Sequence, residues 1–330
     1  MSDLTGLLDH LPAHYIAREK RRMHMAMKVA TRYNHPVLSA KTVIIKAIEE
    51  CGDDLILGWS GGKCSTVALH IALQIKPDIR VLFQNTGIEF PENLEYVYQL
   101  QDEWNLNLVE LKPEVTFWEI VDKYGMPKMP IFGSDRKKRR GPPKKRGRPR
   151  KVDQIPGQVM TESVNDTRPM CCHYLKDKPR YNWIKEQGIK GQITGLRASE
   201  GRNRAIILGQ RGQIYPTQRP FNGFMSYHAV GFWGLPKMEA YLRRNKVPHN
   251  KTYDTQQRNG CWACTAYVGW ENNIQRYNPG MYKLIQRKRG VRLMDDYFPK
   301  TNAEDTSKLP CDGDSLVEML RSEDIDDFID

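Results

Sequence analysis

The stretch LILGWSGGKCSTVALHIAL, Leu55–Leu73, decides the fold. An apolar run ends at Ser60-Gly61-Gly62-Lys63, and apolar residues then resume at helical spacing. A strand that runs through a glycine turn into a helix sets the helix N-terminus at the strand's carboxyl end. Backbone N–H groups there lack intrahelical partners and carry the positive end of the helix dipole, so they favour an anion. Two glycines let those groups turn inward and let phosphate oxygens approach closely. Lys63 adds a cation, and Ser60 and Ser65 add hydroxyls, so Ser60-Gly61-Gly62-Lys63-Cys64-Ser65 can bind a phosphate or pyrophosphate. The spacing is not that of a Walker A loop, because Gly58 stands one residue too close and Cys64 follows the lysine. On its own the stretch also reads as a glycine turn with an incidental lysine.

The surrounding pattern supports the phosphate reading. IRVLFQNTG is a second strand, FPENLEYVYQLQDEWN a helix opened by proline, and LNLVELKPE a third strand. Strands alternating with helices predict a parallel sheet with helices on both faces. The second strand ends in Asn85-Thr86-Gly87, and a later strand runs into Thr194-Gly195 followed by Arg197, Arg202 and Arg204. The carboxyl edge of an open α/β sheet is where ligands bind, and arginine forks suit phosphate oxygens. Residues 1–50 predict an N-terminal helical segment, with apolar residues three and four apart, ahead of a main domain over 51–290.

A chain of 330 residues, 39% hydrophobic, is long enough for one large α/β domain or two modest ones. No run of 18 apolar residues is present and the N-terminus lacks a secretory apolar segment, so the expectation is a soluble, cytoplasmic protein without a membrane partner. Seven cysteines are too few for a disulfide scaffold, and their clustering suggests metal or catalysis. The net charge of +12 is uneven. Arg136–Lys151 holds eleven basic residues and no acid, inside a Pro- and Gly-rich stretch, 134–158, that reads as a disordered insertion. Glu304–Asp330 holds ten acids against Lys308 and Arg321, within an acidic tail over 291–330.

Together SGGKCS, NTGIEFPE, CCHYLK, ITGLRASEGRNR, VPHNKTYD and GCWACT, over roughly Ala40–Tyr277, resemble the phosphoadenosine-phosphosulfate (PAPS) reductase family of PP-loop nucleotide enzymes. The resemblance implies a Rossmann-like, adenine nucleotide α-hydrolase-like fold. The adenine nucleotide, ATP with Mg²⁺, would lie on Ser60–Ser65, Asn85, Thr86, Gly87, Gly195 and Arg197. The family usually has Asp where Cys64 and Asn85 stand.

Cys171-Cys172 and Cys261-x-x-Cys264 make a CC…CxxC set that suits a four-sulfur metal site, for zinc or an iron–sulfur cluster. Similarity to cluster-bearing adenylyl-sulfate reductases implies [4Fe–4S]. Arg146-Gly147-Arg148-Pro149 resembles an AT-hook, a narrow extended segment that lies in the minor groove of A·T-rich DNA. A solvated loop, a transport signal or RNA contact are the other readings of this basic arm.

Three functions follow. The first is ATP-dependent adenylylation and sulfur transfer on DNA, resembling the Dnd/Ssp-type phosphorothioation enzymes. Lys63, Ser60 and Ser65 would act on the leaving pyrophosphate, and a donor such as a cysteine desulfurase would supply the sulfur. The second is a reductase that takes adenylyl sulfate or PAPS to sulfite. Against it, the tail offers only Cys311, without the family's Glu-Cys-Gly-x-His motif, and the Glu-Cys-Gly at Cys51 reads as a helix end. The third is a non-catalytic DNA-binding accessory protein.

Overall fold

The structure, a computed structural model, describes residues 13–124, 158–160, 167–256, 258–264 and 270–289. The AT-hook-like residues Arg146–Pro149 and the acidic tail lie outside these, as does all of the basic insertion except Gln158. The chain divides into two compact units, Met1–Tyr282 and Lys283–Asp330. Of the second, only helical residues through Arg289 are described.

The opening stretch forms as its pattern predicts. Strand β1 (Leu55–Trp59) leads through the glycine turn into a helix over Lys63–Leu73. Strands β2 (Arg80–Gln84) and β3 (Leu108–Leu111) flank the proline-opened helix over Pro91–Glu103. A two-stranded ladder, β4 (Gln158–Met160) with β5 (Thr167–Pro169), stands apart from the main sheet. Beyond it come β6 (Gly191–Thr194), β7 (Ile214–Thr217) and β8 (Phe224–His228).

The six-stranded sheet runs in the order β3-β2-β1-β6-β8-β7. All its pairings are parallel except that of β7 with β8. Strand order reverses between β1 and β6, so the loops that leave their carboxyl ends diverge and open a crevice between them.

Alternation along the strands divides the core. Leu55, Leu57, Trp59, Val81 and Phe83 face one side, against Val67, Leu69, Val97 and Leu100 of the two flanking helices and against α2 (Ala40–Cys51). Ile56 and Leu82 face the other side, against Ile184, which lies on the helix over Lys178–Glu186. Helices therefore cover both faces. Cys51 ends α2 and is buried, so its Glu-Cys-Gly triplet is a helix terminus.

The N-terminal helix α1 (Ala13–Arg32) packs through Ala26 on Ala198, Ala205 and Leu208. The last two belong to a helix over Arg202–Arg211, a segment whose Gly and Arg content reads as loop in the sequence. A Cβ at Gly209 would stand 2.7 Å from Val29, so the close helix approach requires glycine there. Among the described residues no helix is long and apolar enough to cross a membrane.

Candidate functional site: a glycine loop beside four cysteines

The loop Ser60–Lys63 is held by side-chain amides. Gly61 has φ +71°, and a Cβ there would run into the Asn93 side chain, so the position needs glycine on two counts. Asn93 is fully buried. Its Oδ1 accepts from Asn250 Nδ2 at 2.9 Å and from Asn259 Nδ2 at 2.7 Å. The same two amides donate to the loop's carbonyls, Asn250 to Gly61 O at 2.9 Å and Asn259 to Ser60 O at 2.8 Å. In a trans peptide the C=O and N–H point in opposite directions, so anchoring both carbonyls turns the Gly61 and Gly62 N–H groups away from the asparagines. Gly62, the N-cap of the helix that begins at Lys63, has no side chain to offer its amides. Backbone N–H groups presented in this way can receive an anion.

The Ser60 and Ser65 hydroxyls stand 3.2 Å apart, and Ser65 donates to Gly62 O at 3.0 Å. Gly195, at the end of β6, abuts this turn so closely that a Cβ would overlap the Ser65 backbone. Lys63 is paired within the protein: its Nζ lies 2.5 Å from Glu239 Oε1 and 4.7 Å from the centre of the Tyr253 ring. Its backbone N–H donates to Tyr253 Oη at 3.2 Å.

Cys64 and Arg197 sit together at the start of the same helix. Arg197 donates from Nε to Cys64 Sγ at 3.0 Å, from Nη1 to Ser199 Oγ at 2.8 Å, and from both terminal nitrogens to Glu19 of α1 at 3.2 and 3.3 Å. The pair is buried, with side chains 4% and 5% exposed. The thiol of Cys64 donates to Glu200 Oε1 at 3.2 Å, and Glu200 also pairs with Arg204. The arginine fork expected to meet phosphate is therefore spent on α1 and on the thiol that stands in the family's Asp position.

The end of β2 faces the cysteines. Asn85 bonds Glu110 Oε1 at 2.7 Å and accepts the Gly87 N–H at 3.0 Å, a local turn with Gly87 at φ +75°. Thr86 is buried; its hydroxyl donates to Glu89 at 2.8 Å and lies 3.7 Å from Cys261 Sγ. Glu89 pairs with Cys261 in an isolated antiparallel bridge, and Trp262 N–H donates to Ile88 O at 2.9 Å. Cys261-Trp262-Ala263-Cys264 closes as a turn through Cys264 N–H to Cys261 O at 3.1 Å.

Cys171 and Cys172 end a helical turn, Met170–Cys172, that continues through a π-helical turn over His173–Asp177. The two pairs converge. A hydrogen bond with Cys172, burial, and the charges of Cys172, Cys264 and Cys261 all push the Cys171 thiol up. Burial pushes Cys261 up to about 11, against the pull of Lys176. Cys261 and Glu89 in turn hold the Lys176 ammonium above its ordinary value.

Four thiols form a donor set whose chemistry suits a soft metal or a cluster. As they stand, however, no three His, Cys, Asp or Glu among the described residues are close enough to grip an ion. The two pairs are brought near one another, and among the described residues they do not form a closed ligand cage. Buried thiols that ionise together repel one another, a cost that a bound cation offsets.

The segment Arg258–Cys264 touches both halves: Asn259 holds the loop, and Cys261 meets Thr86. Sequence reasoning missed several of the side chains that organise the site. Asn250 and Tyr253 lie within VPHNKTYD and Glu200 within ASEGRNR, so their segments were visible but not their roles. Glu19, Asn93 and Glu239 sit on amphipathic helices, where nothing separates a partner of the loop from a solvated carboxylate or amide.

The phosphoadenosine phosphosulfate reductase domain family matches residues 54–131 and 136–267. An uncharacterized protein of Methanocaldococcus jannaschii is 35% identical over 236 residues, 70% of this chain and 46% of the relative. An adenosine 5'-phosphosulfate reductase of Bacillus mycoides is 22% identical over 233 residues, covering 70% of this chain and 81% of the relative. The crystal structure of a PAPS reductase from Candida auris, a phosphate complex, superposes with a TM-score of 0.47 at 19% identity, covering 69% of this chain and 91% of that one. The chain spans about half the length of the first curated relatives it matches. With the family match covering both the glycine loop and the four cysteines, the chain belongs to the PAPS reductase domain family.

Proposed function

We propose that the chain is an adenylyl-nucleotide enzyme of sulfur chemistry, with the nucleotide's phosphates on Ser60–Ser65 and the reacting centre between that loop and the four cysteines. The supporting observation is that Arg258–Cys264 joins the two, through Asn259 on Ser60 O and Cys261 against Thr86.

In the first reading, ATP is the nucleotide and an oxygen of the DNA backbone is the acceptor. That oxygen attacks the α-phosphorus, and the bond to the α,β-bridging oxygen breaks. Pyrophosphate leaves with the electron pair, and a sulfur nucleophile then displaces AMP. The loop's N–H groups, Lys63 and the Ser60 and Ser65 hydroxyls meet the charge that grows on the leaving pyrophosphate. Mg²⁺ bound to the phosphates would neutralise part of it. Cys171, Cys172, Cys261 and Cys264 would hold the [4Fe–4S] cluster or zinc, and a cluster when bound supplies a site for sulfur or electrons. The basic segment 136–151 would follow DNA phosphates, and a cysteine desulfurase-type donor would provide the sulfur.

The second reading is reduction of adenylyl sulfate or PAPS to sulfite. The name of the Bacillus relative favours it.

One experiment separates the two. The purified protein is given ATP with DNA and sulfide or, separately, adenylyl sulfate with a thiol. Pyrophosphate and AMP from ATP support sulfur transfer; sulfite from adenylyl sulfate overturns it in favour of the reductase. Neither product contradicts both.

A further inference from the structure

Both groups that Lys63 would offer to a phosphate, its ammonium and its backbone N–H, already meet an oxygen from a distant part of the chain. Its ammonium is 2.5 Å from Glu239 Oε1, and the two side chains are only 19% and 12% exposed. Its backbone N–H, the first of the helix, donates to Tyr253 Oη at 3.2 Å. The Tyr253 ring also covers the ammonium, at 4.7 Å from Nζ to ring centre. Burial raises the Tyr253 phenol, so it meets this N–H as a neutral hydroxyl.

A carboxylate on the ammonium and a hydroxyl oxygen on the amide reproduce what two phosphate oxygens would supply. Glu239 and a phosphate cannot both lie against Lys63 without a like-charge clash in a partly buried place. Resting on the reading that this loop binds phosphate, we propose that Glu239 and Tyr253 are a built-in stand-in for the ligand's phosphate. They hold Lys63 in the free protein and yield it when the anion arrives.

The anchoring around them suits an exchange. Asn250 and Asn259 grip the loop through its carbonyls, on the opposite side of the peptides from the N–H groups. Asn250 also accepts the Thr252 N–H at 2.9 Å, fixing the backbone just before Tyr253. Swinging Glu239 and the Tyr253 ring aside breaks the ring's hydrogen bond with the Asn259 backbone but neither side-chain amide bond to the loop carbonyls. Affinity is set by a difference: the phosphate must out-compete a carboxylate that is already present and covalently tethered. Glu239 thus acts as a specificity residue. It favours ligands with two or more negative charges at this end over singly charged ones, since only a stronger anion displaces it.

The test uses the full chain and its Glu239→Gln variant, which keeps the side chain's size and removes its charge. Lys63 acylation by acetic anhydride is followed by mass spectrometry without ligand, and inorganic pyrophosphate binding is measured by calorimetry with and without Mg²⁺. Expected are a Lys63 label that forms about tenfold faster in the variant, and pyrophosphate binding about tenfold tighter in it. Wild-type binding with no gain in the variant overturns the stand-in alone. Binding that weakens in the variant only when Mg²⁺ is present makes Glu239 a metal ligand and likewise overturns it. Pyrophosphate binding to neither protein overturns the phosphate reading and the stand-in together, even where the Lys63 label accelerates.

Discussion

The glycine loop and the cysteine cluster lie side by side and are built on opposite electrostatic plans. Around the loop the protein balances its own charges: Lys63 with Glu239, Arg197 with Glu19, and Arg204 with Glu200. Around the cysteines it collects four groups of like kind and a single nearby lysine, so each thiol makes its neighbours harder to ionise. The difference teaches that the charges around the loop are matched by folding alone, whereas the thiols stay neutral unless a positive charge joins them.

The largest effect should come from the cysteine side. Replacing Cys261 and Cys264 with Ser should abolish bound metal, read as iron and sulfide in anaerobically purified protein. Iron and sulfide retained in the double variant would break the contrast, and zinc without sulfide would change the identity of the centre.

The loop side should show its internal balance as stability. Glu19→Ala leaves Arg197 buried beside Cys64 without its carboxylate, and breaking such a pair costs about 3–5 kcal/mol. Chemical denaturation reads this directly, and a loss below about 1 kcal/mol would mean that α1 does not hold the arginine.

A pH effect of similar origin is expected at His228. It is buried, bonded to Thr194 Oγ1 at 2.6 Å and to Tyr215 Oη at 2.9 Å, and burial lowers it from 6.5 to about 4. The unfolded chain then binds a proton below pH 6.5 that the folded protein refuses until about pH 4. Stability contributed above pH 6.5 is therefore lost as pH falls through that window, by on the order of 3 kcal/mol. A His228→Gln variant should flatten this slope, and an unchanged slope would assign it elsewhere.

The smallest effect is at the turn itself. Gly61→Ala should cost about 1–3 kcal/mol, since alanine is strained at φ +71° and meets Asn93. A neutral result would show that the turn relaxes freely.

The sheet was legible because its strands are short apolar runs that stop at glycine turns. Leu55–Trp59, Arg80–Gln84 and Leu108–Leu111 all fall within the runs read from the sequence. The β7–β8 hairpin was not separated from its neighbours, because PTQRPFNG and GFWG punctuate that region without a clear period. The spacing of the cysteines named the two pairs, and the structure puts Cys171 within electrostatic reach of Cys172, Cys261 and Cys264. The role of Arg197 was not: a sequence shows an arginine beside a strand end, but only the packing of α1 shows that Glu19, 178 residues away, claims it first. The same holds for Glu239, which comes to Lys63 from 176 positions along the chain.

The most direct measurement is equilibrium binding of ATP to the full chain and to Lys63→Met. The expected result is binding by the wild type and a loss of about a hundredfold or more in the variant, the cost of leaving a bound phosphate without its cation. ATP bound equally well by both proteins would contradict the placement of the nucleotide on this loop.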